Sequence, residues 1–153
     1  MNGLIKNILM RFCLLTFFAL LVSCQKSPEP IAYGSDGCEN CKMTISDPKF
    51  GAELINTKGK IYKFDSAECL AAFGRTIKPE EINSEWVTNF LMPGEFIKVN
   101  DAAFLISNKI KSPMSLNISA FSNQKSLDEI RSTSGEKALN WKDVQSYVQN
   151  EWK

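Results

Sequence analysis

The residues most able to do chemistry in this chain are sulfur donors. Cys38-Glu39-Asn40-Cys41-Lys42-Met43 sets two thiols three positions apart, so that one turn brings both within reach of a single ion. If residues 41–45 enter a strand, as Met43-Thr44-Ile45 suggests, Cys41 and Met43 share one of its faces. A thioether is a poor ligand for Zn²⁺ and a good one for the soft ion Cu(I). A further thiol, Cys69, lies in Phe64-Asp65-Ser66-Ala67-Glu68-Cys69-Leu70. Asp65 and Glu68 there have the spacing of a capping box, predicting a helix from about Ser66 to Phe73 that stops at Gly74. Cys69 then sits near the positive end of the helix dipole, which favours the thiolate.

The chain has 153 residues and no histidine. That removes His-dependent triads, HExxH zinc proteases and imidazole bases. The formal net charge is +1, and the first 23 residues hold Lys6 and Arg11 with no acid, so the remainder is near neutrality. A nucleic-acid protein would show a basic excess, and none is expected to bind here. Neither a P-loop nor a GxGxxG stretch is present.

Of the five cysteines, Cys13 and Cys24 belong to the N-terminus. Lys6 and Arg11 form a positive region ahead of Phe12–Val22, an apolar run of 11 residues, too short for a span that needs about 20. Leu21-Val22-Ser23-Cys24 resembles the bacterial lipobox, in which the signal is cut before a Cys that then carries lipid. Residues 1–23 therefore read as a lipoprotein signal peptide and 24–35 as a tether lipidated at Cys24, with Pro28 and Pro30 suiting a spacer. The competing reading is an ordinary signal peptide with a chance cysteine. The expected location is the envelope of a bacterium, anchored by lipid and facing the periplasm, at either membrane. Cys38, Cys41 and Cys69 are then an odd set of thiols in an oxidising compartment, which asks for a metal, a reactive thiol, or one disulfide with a buried cysteine.

Together these motifs resemble the NosL family: the lipobox and linker, Asp36-x-Cys38-x-x-Cys41-x-Met43, Asp47-Pro48-x-Phe50, and Phe64-Asp65-x-x-x-Cys69. Downstream, Ala103-Phe104-Leu105-Ile106 and Ser112-Pro113-Met114 before Phe121 are similar to the family's second half. The resemblance implies a copper-binding lipoprotein assisting maturation of nitrous oxide reductase. It implies Cu(I) as the bound metal, with that reductase or its copper-site maturation machinery as partner. By position it implies Cys38, Cys41, Met43, Cys69 and Met114 as metal ligands, with Asp36 and Asp65 beside them and no catalytic residue. Three departures stand out. Lys42 replaces a common Gly, Ser115 follows Met114 where Gly is commoner, and the His that members often use is missing.

The elements that must position these residues read as an α+β fold. The resemblance implies two small related ββαβ-type units with antiparallel strands, and a C-terminal helix follows them. The first unit is expected over 36–78 and the second, with the helix, over 79–153. Strands are predicted near 43–46, 51–56, 60–64, 86–90, 95–99, 102–107 and 116–121, with turns at Thr57-Lys58-Gly59 and Met92-Pro93-Gly94. A short repeat supports the two units, since Phe64…Leu70 aligns with Phe121…Leu127 and Ser126 stands where the first copy has Cys69. One helix is predicted over 122–134, ending at Gly135. The last starts near Asn140, with Trp141, Val144, Tyr147 and Val148 facing inward and Trp152 fraying. Phe50, Phe64, Phe104 and Phe121 read as packing, and Lys109-Ile110-Lys111 as a solvated turn.

On these residues alone, three functions compete. One is a Cu(I) carrier that passes its ion on by ligand exchange and is not an enzyme. The second is an envelope thiol oxidoreductase, or a soft-metal detoxifying enzyme, using Cys38 and Cys41. Thioredoxin-like enzymes place that pair at a helix start, whereas Pro48 and the β-branched residues here do not propagate a helix. The third is a structural zinc domain, with Asp36 as the fourth ligand.

Overall fold

A computed structural model describes residues 27–131 and 136–153. The signal, Cys24 and Gly135 lie outside them. Among the described residues seven strands form two antiparallel sheets. The first contains β1 (Ala52–Asn56), β2 (Ile61–Phe64), β3 (Ile82–Thr88) and β4 (Phe96–Lys98) in the order β2-β1-β3-β4. The second contains β5 (Ala103–Ile106), β6 (Ile118–Phe121) and β7 (Lys137–Leu139) in the order β6-β5-β7. Helix α1 (Ala67–Gly74) follows β2, α2 (Gln124–Ile130) follows β6, and α3 (Trp141–Glu151) ends the chain.

The two units are copies at the level of hydrogen-bond register. Ala52 pairs with Phe64 and Ala103 with Phe121, and each central strand then meets a third strand on its other side. Ser66 caps α1 by accepting from Cys69 N, and Asn123 caps α2 by accepting from Ser126 N. Both caps are extended and stand two residues after the aligned phenylalanines, so the repeat seen in sequence is structural.

Several sequence expectations change. Strands β3 and β4 pair within the first sheet, so that sheet extends past residue 78 into the stretch assigned to the second unit. The closing strand of a ββαβ unit comes after its helix, and local patterning does not say which sheet it joins. Residues 43–46 are not a strand. Lys42 has φ +64°, and a left-handed residue breaks an extended run, leaving one bridge between Gly37 and Thr44. Strand β6 begins at Ile118 rather than 116, behind left-handed Ser115 and Asn117. Ser66, not Asp65, caps α1, and Arg75 closes it in right-handed helical conformation, so Gly74 does not act as a left-handed stop. Helix α2 ends at Ile130.

Helix α1 packs against β1, β2, β6 and α3, which places it between the two sheets in one main core. A smaller cluster of Leu105, Phe121 and Leu127 lies beneath α2. Asn140 and Asp143 close a capping box on α3, and Trp141, Val144 and Val148 are buried. Trp152 packs against the main core and its N–H donates to Val148 O, so it does not fray. Strand β1 is covered on both faces. The segment before Asp36 crosses its outer side, where Glu29 N donates to Glu53 and Gly51 leaves room for Ile31 and Tyr33.

Candidate metal centre

Residues 36–45 fold back on themselves beside the end of β2. Lys42 N donates to Cys38 O at 2.9 Å, Cys38 N to Met43 O at 2.8 Å, and Ile45 N to Asp36 O at 2.9 Å. The loop hooks onto β2 through Glu39 N and Lys63 O at 2.8 Å. Asp36 clamps its base, accepting from Ala32 N at 2.8 Å and from Lys63 Nζ at 2.7 Å. This arrangement presents Cys38 and Cys41 to the junction between β2 and α1. Asp65 occupies that junction. Cys69 comes from the first turn of α1, its backbone N–H bonded to Ser66 Oγ at 3.3 Å.

One ligand atom each from Cys38, Cys41, Asp65 and Cys69 lies within 4.8 Å of the others. Cys38, Asp65 and Cys69 are buried and Cys41 is half-buried. Cys38 Sγ lies 3.5 Å from Asp65 Oδ1, and the Cys41 thiol donates to Asp65 Oδ2 at 3.3 Å. Asn40 Nδ2 donates to Cys69 Sγ at 3.4 Å. The three cysteines are free thiols, spaced to grip one ion.

The cluster divides its protons unequally. The Cys69 thiol donates to Cys38, holding Cys38 down to about 6 against the opposing effect of burial. Cys69 is pushed up by that same bond and then by burial. Burial pushes Cys41 up to about 11, with its bonds to Cys38 and Asp65 adding to the rise. The helix dipole was expected to favour a thiolate at Cys69; instead Cys38 is the thiol held down and Cys69 is pushed up, because the hydrogen bond between them outweighs a partial helix charge.

Sequence reasoning reached the three cysteines and missed how Asp65 acts. Its carboxylate is inside the donor cluster rather than beside it or capping the helix. Asp36, offered as a fourth zinc ligand, is outside the cluster and braces the loop through Lys63. Met43 does not share a strand face with Cys41; the residue is 57 % exposed in the same loop. Met114 is half-buried against the main core in the loop before β6. Asn40 was not singled out, and Glu68 was read only as the capping-box partner of Asp65. For Glu68 the available signal was an acid directly preceding a cysteine in the first turn of a buried helix.

The NosL family model matches residues 32–148. The chain belongs to the NosL family. The fold agrees with a solved NosL structure, that of the copper chaperone NosL from Shewanella denitrificans, with a TM-score of 0.60 at 20 % identity. That match covers 77 % of this chain and 94 % of the other. No curated protein matches the chain significantly. Two of the departures coincide with left-handed backbone. Lys42 and Ser115, the two positions at which the resemblance led a Gly to be expected, have φ of +64° and +66°. A glycine reaches that region without a steric cost, so each of these turns is made here at the expense of a strained side-chain-bearing residue.

Proposed function

We propose that this protein is an extracytoplasmic Cu(I) carrier, held to the bacterial envelope by lipid at Cys24 and facing the periplasm. It supplies copper to nitrous oxide reductase or to the machinery that builds its copper centre. The observation that carries the reading is the convergence of three thiols, one of them half-buried. Soft thiolates suit a cuprous ion, and family membership points to the same metal. Cys38 and Cys69 hold the ion from within, and Cys41 is the ligand an acceptor displaces first. Met43 and Met114 supply thioethers that add to the grip. The copper stays monovalent throughout, each step exchanging one ligand for another. No substrate bond is made or broken, so the protein is a carrier rather than an enzyme.

Titration of the reduced protein with Cu(I) against a competing chelator tests this, together with X-ray absorption of the loaded form. The expected result is one tightly held ion in an all-sulfur first sphere. Cys24→Ala should move the protein from the membrane fraction to the soluble one; if the variant stays with membranes, the anchor is elsewhere.

Asp65 favours one second reading. Three thiols and a carboxylate make the four-donor set of a structural Zn²⁺ site. Loss of the fold on zinc removal, with Met43→Leu and Met114→Leu without effect on Cu(I) affinity, would support zinc over copper.

A further inference from the structure

Glu68 directly precedes Cys69 on α1 and is fully buried. Its Oε1 accepts from Ser112 Oγ at 2.5 Å and from Ile118 N at 3.3 Å, groups 44 and 50 residues away in the second unit. Its Oε2 has no hydrogen-bond partner among the described residues. A buried carboxyl is costly to keep, and here its cross-unit bonds among the described residues reach the two ends of one loop. Ser112 closes that loop twice more, its Oγ accepting from Asn117 N at 2.9 Å and its carbonyl from Ser115 N at 3.1 Å. Met114 lies inside the loop, next to the left-handed Ser115.

We propose that Glu68 is a positioning residue for copper: it fixes the Met114 loop of the second unit against the helix turn that presents Cys69, so that thiols and thioether serve one site. The inference rests on the copper reading above, with Met114 as a ligand. Two bonds from one carboxylate oxygen to both ends of the loop resist its movement relative to α1. The adjacent residue on α1 is itself in the donor cluster. Local sequence gives no such link, since it spans the two units.

Cu(I) affinity of the full chain, measured against a chelator, tests the link by a double-mutant cycle. Met114→Leu and Glu68→Ala are each expected to weaken binding by about tenfold or more, the range for groups that orient metal ligands. The double variant should be no weaker than either single. Glu68→Gln, whose amide oxygen can accept both bonds, should bind as the parent does. X-ray absorption of loaded Glu68→Ala should show one sulfur scatterer fewer. If Glu68→Ala does not fold, Ser112→Ala replaces it with the same pattern expected. Additive losses, or a full sulfur count in the variant, would overturn the proposal. An unchanged affinity in Met114→Leu, with binding still abolished in Cys38→Ser, would remove Met114 and this inference while leaving the thiol site intact. Loss of neither would remove the copper reading itself.

Discussion

The Cys41 thiol and the Asp65 carboxylate face each other at 3.3 Å, where the loop before β1 meets the turn into α1. This contact sets a hard oxygen atom among soft sulfurs, so metal preference is expected to depend on one side chain. Zn²⁺ accepts carboxylate oxygen readily; Cu(I) favours sulfur. Asp65→Asn should therefore weaken Zn²⁺ by about tenfold or more and Cu(I) much less. Parallel titrations with both ions check this, and an equal loss for both would make Asp65 a structural brace only.

Proton release should follow the uneven distribution within the cluster. Cys38 is ionised above about 6, while Cys41 is held up to about 11 and Cys69 is raised. Cu(I) binding by three thiolates then releases about two protons near neutral pH, so its affinity rises with pH. Calorimetry in buffers of different ionisation enthalpy measures that number. Release of about one proton would mean that one of the three thiols does not bind.

Glu53 predicts a stability change in the opposite direction with pH. Burial beneath the segment carrying Glu29 raises its carboxyl to about 7, above the unfolded value of 4.5. The folded state therefore holds its proton more tightly. This contribution is complete below the unfolded value and is lost as pH rises through about 7. Glu53→Gln should be more stable than the parent at pH 8 by roughly 1–3 kcal/mol and nearly equal to it at pH 4. Urea denaturation of the metal-free proteins at both pH values tests the sign, and a gain at pH 4 matching that at pH 8 would refute it.

The left-handed positions give a second stability test. Lys42→Gly and Ser115→Gly should each stabilise the metal-free fold by about 0.5–1 kcal/mol, since relief of steric cost exceeds the added chain entropy. Alanine at the same sites should give no such gain. A loss of stability with glycine would show that the side chains contribute more than the backbone conformation costs.

Met43 separates ligand from packing. Its side chain is mostly exposed, so Met43→Ala should change stability by less than about 0.5 kcal/mol. Any fall in Cu(I) affinity then reports coordination directly. Equal affinity in the variant would take Met43 out of the site.

Much of the molecule was legible in local patterns. The thiol pair, the helix carrying Cys69, the hairpin at Gly59, the apolar face of α3 and the repeat Phe64…Leu70 with Phe121…Leu127 all follow from spacing and capping chemistry. The missing histidine limited the donor types before any fold was considered. These features depend on neighbours within a few residues, and propensity, periodicity and caps operate at that range.

What only the tertiary structure decided lies at long range. Cys69 meets Cys38 and Cys41 because α1 begins where β2 ends, beside the loop hooked onto Lys63. Asp65 lies in the cysteine cluster, and its neighbour Ser66 takes the helix cap. Strand β3 belongs to the first sheet, and Cys38 is the thiol held down in the cluster, for reasons of register and shared hydrogen bonds. Burial, strand pairing and proton sharing depend on groups tens of residues apart, and no local spacing records which of them the folded chain brings into contact.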